Sequence, residues 1–190
     1  MGASGWAYFV PYQADLNQAL ADLQHDVLAR GDFHQCDAWW RDLPFEHFLP
    51  PEDLDADELA EYRAAYDHRQ ALQPPVTREE WLEWNGEAGT HSILDMERII
   101  ATIPHQPDWS TYAADPTAWI ATSQSRFGSI APLTDAELLA HLGTLRPTHA
   151  DILAHADALN NLRSRWQGSV IVVYQDDQPH ELYFTGYSGD

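Results

Sequence analysis

Lysine does not occur anywhere in the 190 residues, so all ten strongly basic side chains are arginine. That absence removes the Schiff-base nucleophile, the anchor for pyridoxal phosphate and the ammonium that a P-loop places over nucleotide phosphates. Cysteine is nearly absent too. Cys36 stands alone, which excludes an intrachain disulfide and a cysteine-rich zinc site and fits a reducing compartment. Long hydrophobic runs are missing: the longest purely aliphatic stretch is Val170 to Val173, and Met1 to Gln13 holds no basic residue and contains Pro11. Neither a membrane span nor a signal peptide is expected, and the expected location is the cytoplasm. The chain also has no Gly-x-Ser-x-Gly elbow and no glycine-rich phosphate loop after a strand.

What is abundant is negative charge. Thirty acids face ten arginines for a formal charge of −20, with 20 acids against 6 Arg in residues 1–100 and 10 against 4 in residues 101–190. Such a field repels polyanions, so nucleic acid and anionic membranes are not expected partners, whereas a basic protein would be attracted. Ten histidines make that charge shrink below about pH 6. The length and the 44% hydrophobic content predict one domain over 1–190 with a real core.

The local patterns predict an α+β fold. Trp6 to Val10 is aromatic and β-branched and reads as a strand, with Pro11 ending it or confining it to a sheet edge. A helix follows, capped by Asp15 with Gln18 in the reciprocal position, striped by Leu16, Leu20, Leu23 and Val27, and stopped by Arg30-Gly31. Gly168 to Gln175 and His180 to Tyr187 form a hairpin around Asp176 to Pro179. Before it, Thr134 with Glu137 and Thr148 with Asp151 open two short helices, the second running through Leu159. The expected architecture is a small antiparallel sheet, with the N-terminal strand, the hairpin and a possible central strand, covered by helices on one face.

Residues 37–127 read as an irregular, acidic, Trp-rich helical insertion within that domain. Asp57 to Leu72 should be helical, and Thr77 with Glu80 opens a short helix bearing Trp81 and Trp84. For His91 to Ile103 the two readings are a helix start, with Ser92 and Asp95 in the positions of a capping box, and a central strand, and the strand is preferred. Trp39, Trp40, Trp81, Trp84, Trp109 and Trp119 concentrate in this region. They either fill a second small core under irregular segments or form an acid-rimmed contact surface suited to a basic protein or to sugar stacking.

Several groups of polar residues invite chemistry. Asp53, Asp55 and Asp57 have the spacing that opens a calcium loop, but Glu58 occupies the glycine position and Ala64 the bidentate carboxylate position, so an acidic helix start is the better account. Glu87, His91 and Asp95 would share a helix face and could act in acid–base or metal chemistry; on a strand only His91 and Asp95 stay together. A packed, hydrogen-bonded His91 is the competing structural account. The helical pairs Asp151/His155 and Asp22/His25 are ordinary for exposed faces, and His34, Cys36 and His47 lack a recognised zinc spacing. No cofactor or metal is expected.

The segments Ser4-Gly5-Trp6-Ala7-Tyr8-Phe9-Val10-Pro11-Tyr12-Gln13, Gly89-Thr90-His91-Ser92-Ile93-Leu94-Asp95 and Gly186-Tyr187-Ser188-Gly189-Asp190 resemble a group of small acidic actinobacterial proteins of unassigned function. The resemblance covers both ends and one internal segment, about a third of the chain with the helices beside them, and implies no activity. The functional expectation therefore comes from charge. A protein-binding module of the inhibitor, antitoxin or immunity type would present Glu52, Asp53, Asp55, Asp57, Glu58 and Glu61 to a basic partner, with Trp39 and Trp40 as anchors. The alternative is a small hydrolase or metal-dependent enzyme centred on His91 and Asp95, with Glu87 completing the site.

Overall fold

The computed structural model describes residues 4–34, 45, 54–71, 75–85, 89–104 and 109–188. The opening strand β1 (Gly5–Pro11) leads into helix α1 (Leu16–Arg30), where the Asp15 carboxylate accepts from Asn17 N and Gln18 N and Gly31 closes the helix at φ +65°. Only glycine takes that left-handed turn at no steric cost. The Gln18 side chain does not reach back to the cap as expected; it donates to Asp22 at 2.7 Å. Helices α2 (Ala56–Ala71) and α3 (Arg78–Asn85) follow, then a 3-10 turn at Ile93–Asp95 and the two-residue strand β2 (Arg98–Ile99). Two short helices, α4 (Trp109–Ala114) and α5 (Pro116–Arg126), precede β3 (Ser129–Pro132). The chain continues through α6 (Asp135–Leu142), α7 (His149–Ala154) and α8 (Ala156–Asn160) to the hairpin β4 (Gln167–Gln175) and β5 (Gln178–Tyr187).

The sheet corrects the expectation of a small antiparallel one. It has five strands in the order β1-β5-β4-β3-β2, with β1, β5 and β4 antiparallel and β4, β3 and β2 parallel. β1 is an edge strand, which is where Pro11 is tolerated. The strand preferred over His91 to Ile103 shrinks to Arg98–Ile99, and it lies at the opposite edge rather than in the centre. Ile93–Asp95 is instead a single 3-10 turn: the Ser92 hydroxyl caps it by accepting from Leu94 N, not through the expected reciprocal pair with Asp95. The hairpin turn is also tighter than predicted: Asp176 and Asp177, at φ +50° and +60°, make it alone.

Helices cover both faces, not one. Along β4, Val170 joins Trp6, Leu20, Leu23, Val27, Ile93, Met96 and Phe184 in one buried cluster, while Ile171 and Val173 join Leu142, Ile152, Leu159 and Tyr183 in another. Successive residues of a strand face opposite ways, so an unbroken run of buried aliphatic residues marks a strand packed on both sides. α1 seals the first face through four buried residues, Ala19, Leu20, Leu23 and Val27, and α6 to α8 seal the second. Each fully buried Leu or Val there contributes about 2 kcal/mol.

The capping boxes of Thr134/Glu137 and Thr148/Asp151 are present with both reciprocal bonds, and α7 ends at His155 before α8 takes over. None of the described side chains of α2 is buried, a property it shares with α5. Among the described residues, no helix is long and apolar enough to cross a membrane.

Candidate functional site

Residues near Ser4, His91 and Ser188 meet around the His91 ring. Gln24 of α1 donates to the carbonyls of Ile93 (3.1 Å) and Met96 (2.6 Å), and Arg78 of α3 donates to those of Leu94 (2.8 Å) and Met96 (2.6 Å). Two helices thus hold the 3-10 turn rigidly by its backbone. Upstream, Asp95 Oδ1 accepts from Thr90 N at 2.7 Å and from the Thr90 hydroxyl at 2.8 Å. With its only proton given to Asp95, Thr90 Oγ1 must accept from Ser92 Oγ, 2.9 Å away. Thr90, Ser92 and Asp95 are all buried.

Asp95 Oδ2 is sealed from solvent with no hydrogen-bond partner among the described residues. Burial pushes the Asp95 carboxyl above the ordinary carboxylate range, against the bonds from Thr90 and the charge of His91. Gly89 makes this packing possible. It sits at φ +68°, and a Cβ there would stand 2.9 Å from Asp95 Oδ2.

His91 takes a left-handed conformation, φ +53°, which turns its half-buried ring away from the strand geometry expected for it. The ring stacks on His34, with centroids 4.4 Å apart, and His91 Nδ1 lies 3.1 Å from Ser4 Oγ. Ser4 is in turn held by Ser188, whose N–H and hydroxyl donate to its carbonyl at 3.0 and 3.1 Å. Ser4 and Ser188 are therefore fastened beside His91. The open depression here, about 470 Å³, is lined by Gly5, Trp6, Tyr8, Phe33 and His91 among others. Burial raises the Tyr8 phenol to about 12, so it stays protonated.

His91 and Asp95 are neighbours, as both the helical and the strand reading required, but Asp95 spends its paired oxygen on Thr90 and does not orient the His91 ring. The group beside the ring is Ser4, which from sequence reads only as a turn residue. Glu87, the proposed third member, lies outside the described residues, and among those residues no group of three or more His, Cys, Asp or Glu could hold a metal ion.

The proposed acidic face divides. Glu52, Asp53, Trp39 and Trp40 lie outside the described residues, as do Cys36, His47 and the side chains of Trp109 and Trp119. Asp55 and Glu58 cap α2: Asp55 Oδ1 accepts from Asp57 N (2.9 Å) and Glu58 N (3.0 Å), and Glu58 Oε2 accepts from Asp55 N (2.9 Å). Asp57 and Glu61 point into solvent on the same helix. Trp81 is core, 7% exposed and edge-on to Phe33 at 5.1 Å. Comparison with protein-family models, with curated proteins and with solved structures finds no match to this chain.

Proposed function

We propose that the protein is an acidic protein-binding module, of the inhibitor, antitoxin or immunity type, that docks a basic partner through α2. One observation carries this reading: α2, with its cap Asp55, displays Asp57, Glu58 and Glu61 on a helix none of whose described side chains is buried, so packing the sheet does not account for these acids. Its half-buried Tyr62 and Tyr66 meet Phe45, and the charged side is left for solvent or for a partner. The field of a −20 chain speeds encounter with a cationic surface, and ion pairs formed on docking add specificity. The test is affinity capture from the producing organism, followed by titration of the recovered partner against sodium chloride and against the Asp57→Asn/Glu61→Gln double variant. Binding that weakens in both arms supports the reading; binding indifferent to both removes it.

A second reading has its own support in the 3.1 Å approach of Ser4 Oγ to His91 Nδ1. In it, His91 takes the proton from Ser4 Oγ, that oxygen bonds to the carbonyl carbon of an ester in the depression beside Gly5 and Tyr8, the ester C–O bond breaks with His91 returning the proton to the departing alcohol, and water then hydrolyses the acyl-Ser4. A fluorophosphonate probe should then label Ser4 in the wild type and fail to do so in His91→Ala. An unlabelled wild type ends that reading without touching the first.

A further inference from the structure

A second cleft, of about 450 Å³, opens between the end of β3, the start of α6 and the segment before β4. Arg126, the last residue of α5, and Arg163 both line it. Arg163 Nη1 donates to Glu137 Oε1 at 2.7 Å, and Glu137 Oε2 accepts from Thr134 N and the Thr134 hydroxyl at 2.8 and 3.0 Å. That carboxylate is fully engaged. Among the described residues it is also the only acid lining the cleft, in a chain with 30 acids. The lining therefore holds two guanidinium groups against one carboxylate, a positive spot on a protein of charge −20.

The second observation is what the two guanidinium groups leave unpaired. Arg126 Nη1 and Arg163 Nε are both shielded from solvent and have no hydrogen-bond partner among the described residues. Arg30, Arg63, Arg78, Arg98 and Arg146 each stand within 4.0 Å of a carboxylate; Arg126 has neither ion pair nor hydrogen bond among those residues. Buried N–H donors are almost always satisfied, and a desolvated cation is costly without a counter-charge. A carboxylate or phosphate is the group whose oxygens match the arginine fork.

We infer that this cleft binds a small organic anion, its carboxylate or phosphate group taken by the guanidinium groups of Arg126 and Arg163 and its apolar body lying against Ile103, Pro104, Pro132 and Leu162. The volume falls within the range of small-molecule sites, roughly 300 to 1,000 Å³. The site is separate from α2 and from His91, so it stands or falls apart from either reading of function.

The test uses the full chain, with inorganic phosphate and benzoate as probes and sodium chloride at matched ionic strength as control. At tenfold above its Kd a binding probe raises the Tm by about 3–6 °C over the salt control. Phosphate alone marks a phosphorylated ligand, benzoate alone a carboxylate, and both together the shared oxyanion chemistry. Arg126→Gln should weaken calorimetric affinity at least tenfold while leaving the unliganded Tm no lower, because it removes a charge that has no partner. The inference is overturned if neither probe at millimolar concentration exceeds the salt control, a result that needs no variant, or if Arg126→Gln binds as tightly as the wild type.

Discussion

Trp6 and Gly168 lie two strands apart, yet the indole covers the glycine: a Cβ on Gly168 would come within 2.6 Å of Trp6 Cη2. Between them in the same row stands Gly186, opposite Trp6 in β1 and opposite Gly168 in β4. One large ring thus lies over two side-chain-free positions and ties the N-terminal edge strand to the hairpin. Gly168→Ala should cost about 2 kcal/mol by overpacking. In a Trp6→Phe background, which lacks Cη2, most of that penalty should vanish in a double-mutant cycle read by urea midpoints. An undiminished penalty would mean that the ring is not what fills the space.

Asp95 sets a pH dependence with an unusual sign. Its folded-state carboxyl is raised by burial above its unfolded value, so the native state holds a proton that the unfolded chain has lost. Stability is then greatest below the unfolded carboxylate range and declines as pH rises through the folded value. Asp95→Asn keeps an oxygen for the two Thr90 bonds and removes the charge. Urea midpoints at pH 4, 5.5 and 7 should show the variant gaining on the wild type as pH rises. A loss above about 1 kcal/mol at pH 7 would instead mean that the ionised form is held favourably.

The difference between what could be read from the chain and what could not follows the range of the interactions. Asp15, Thr134 and Thr148 announce their helices because a cap is decided within four residues, and Val170 to Val173 announces a buried strand. The parallel pairing of Ser129–Pro132 is carried by no local signal: four residues ending in proline offer neither period nor length. Ser4 and His91 are 87 positions apart, so their contact depends on β1 reaching β5 and on the left-handed turn at His91. Arg126 and Arg163 are two of only four arginines in residues 101–190, a scarcity legible in the chain, but their approach depends on the fold.

Glu137 shows the ordinary sign. Burial pushes its carboxyl up, but the Arg163 and Thr134 hydrogen bonds and the Arg163 charge outweigh this and bring it to about 2. Its folded value lies below its unfolded one, so the stability it contributes is present above the unfolded value near 4.5 and is lost as pH falls from there toward about 2. Glu137→Gln should lower the urea midpoint at pH 7 and flatten its decline between pH 5 and 3. An acid limb as steep as the wild type's would assign that loss to other carboxylates.

α2 allows helix capping to be separated from recognition. Asp55 holds the first turn by accepting from Asp57 N and Glu58 N, so Asp55→Ala should cost the helix about 1 kcal/mol. Because α2 buries none of its described side chains, that loss should appear locally. Amide exchange over residues 56–71 should quicken about fivefold while the global urea midpoint stays put. Glu61→Gln, which removes a solvent-facing charge beyond the first turn, should leave both measurements unchanged and alter only salt-dependent binding, whereas Asp57→Asn also removes a first-turn charge that favours the helix and should quicken exchange by less than Asp55→Ala does. If Asp55→Ala lowers the global midpoint as well, α2 unfolds together with the sheet, and its exposure no longer marks it as an element set aside for a partner.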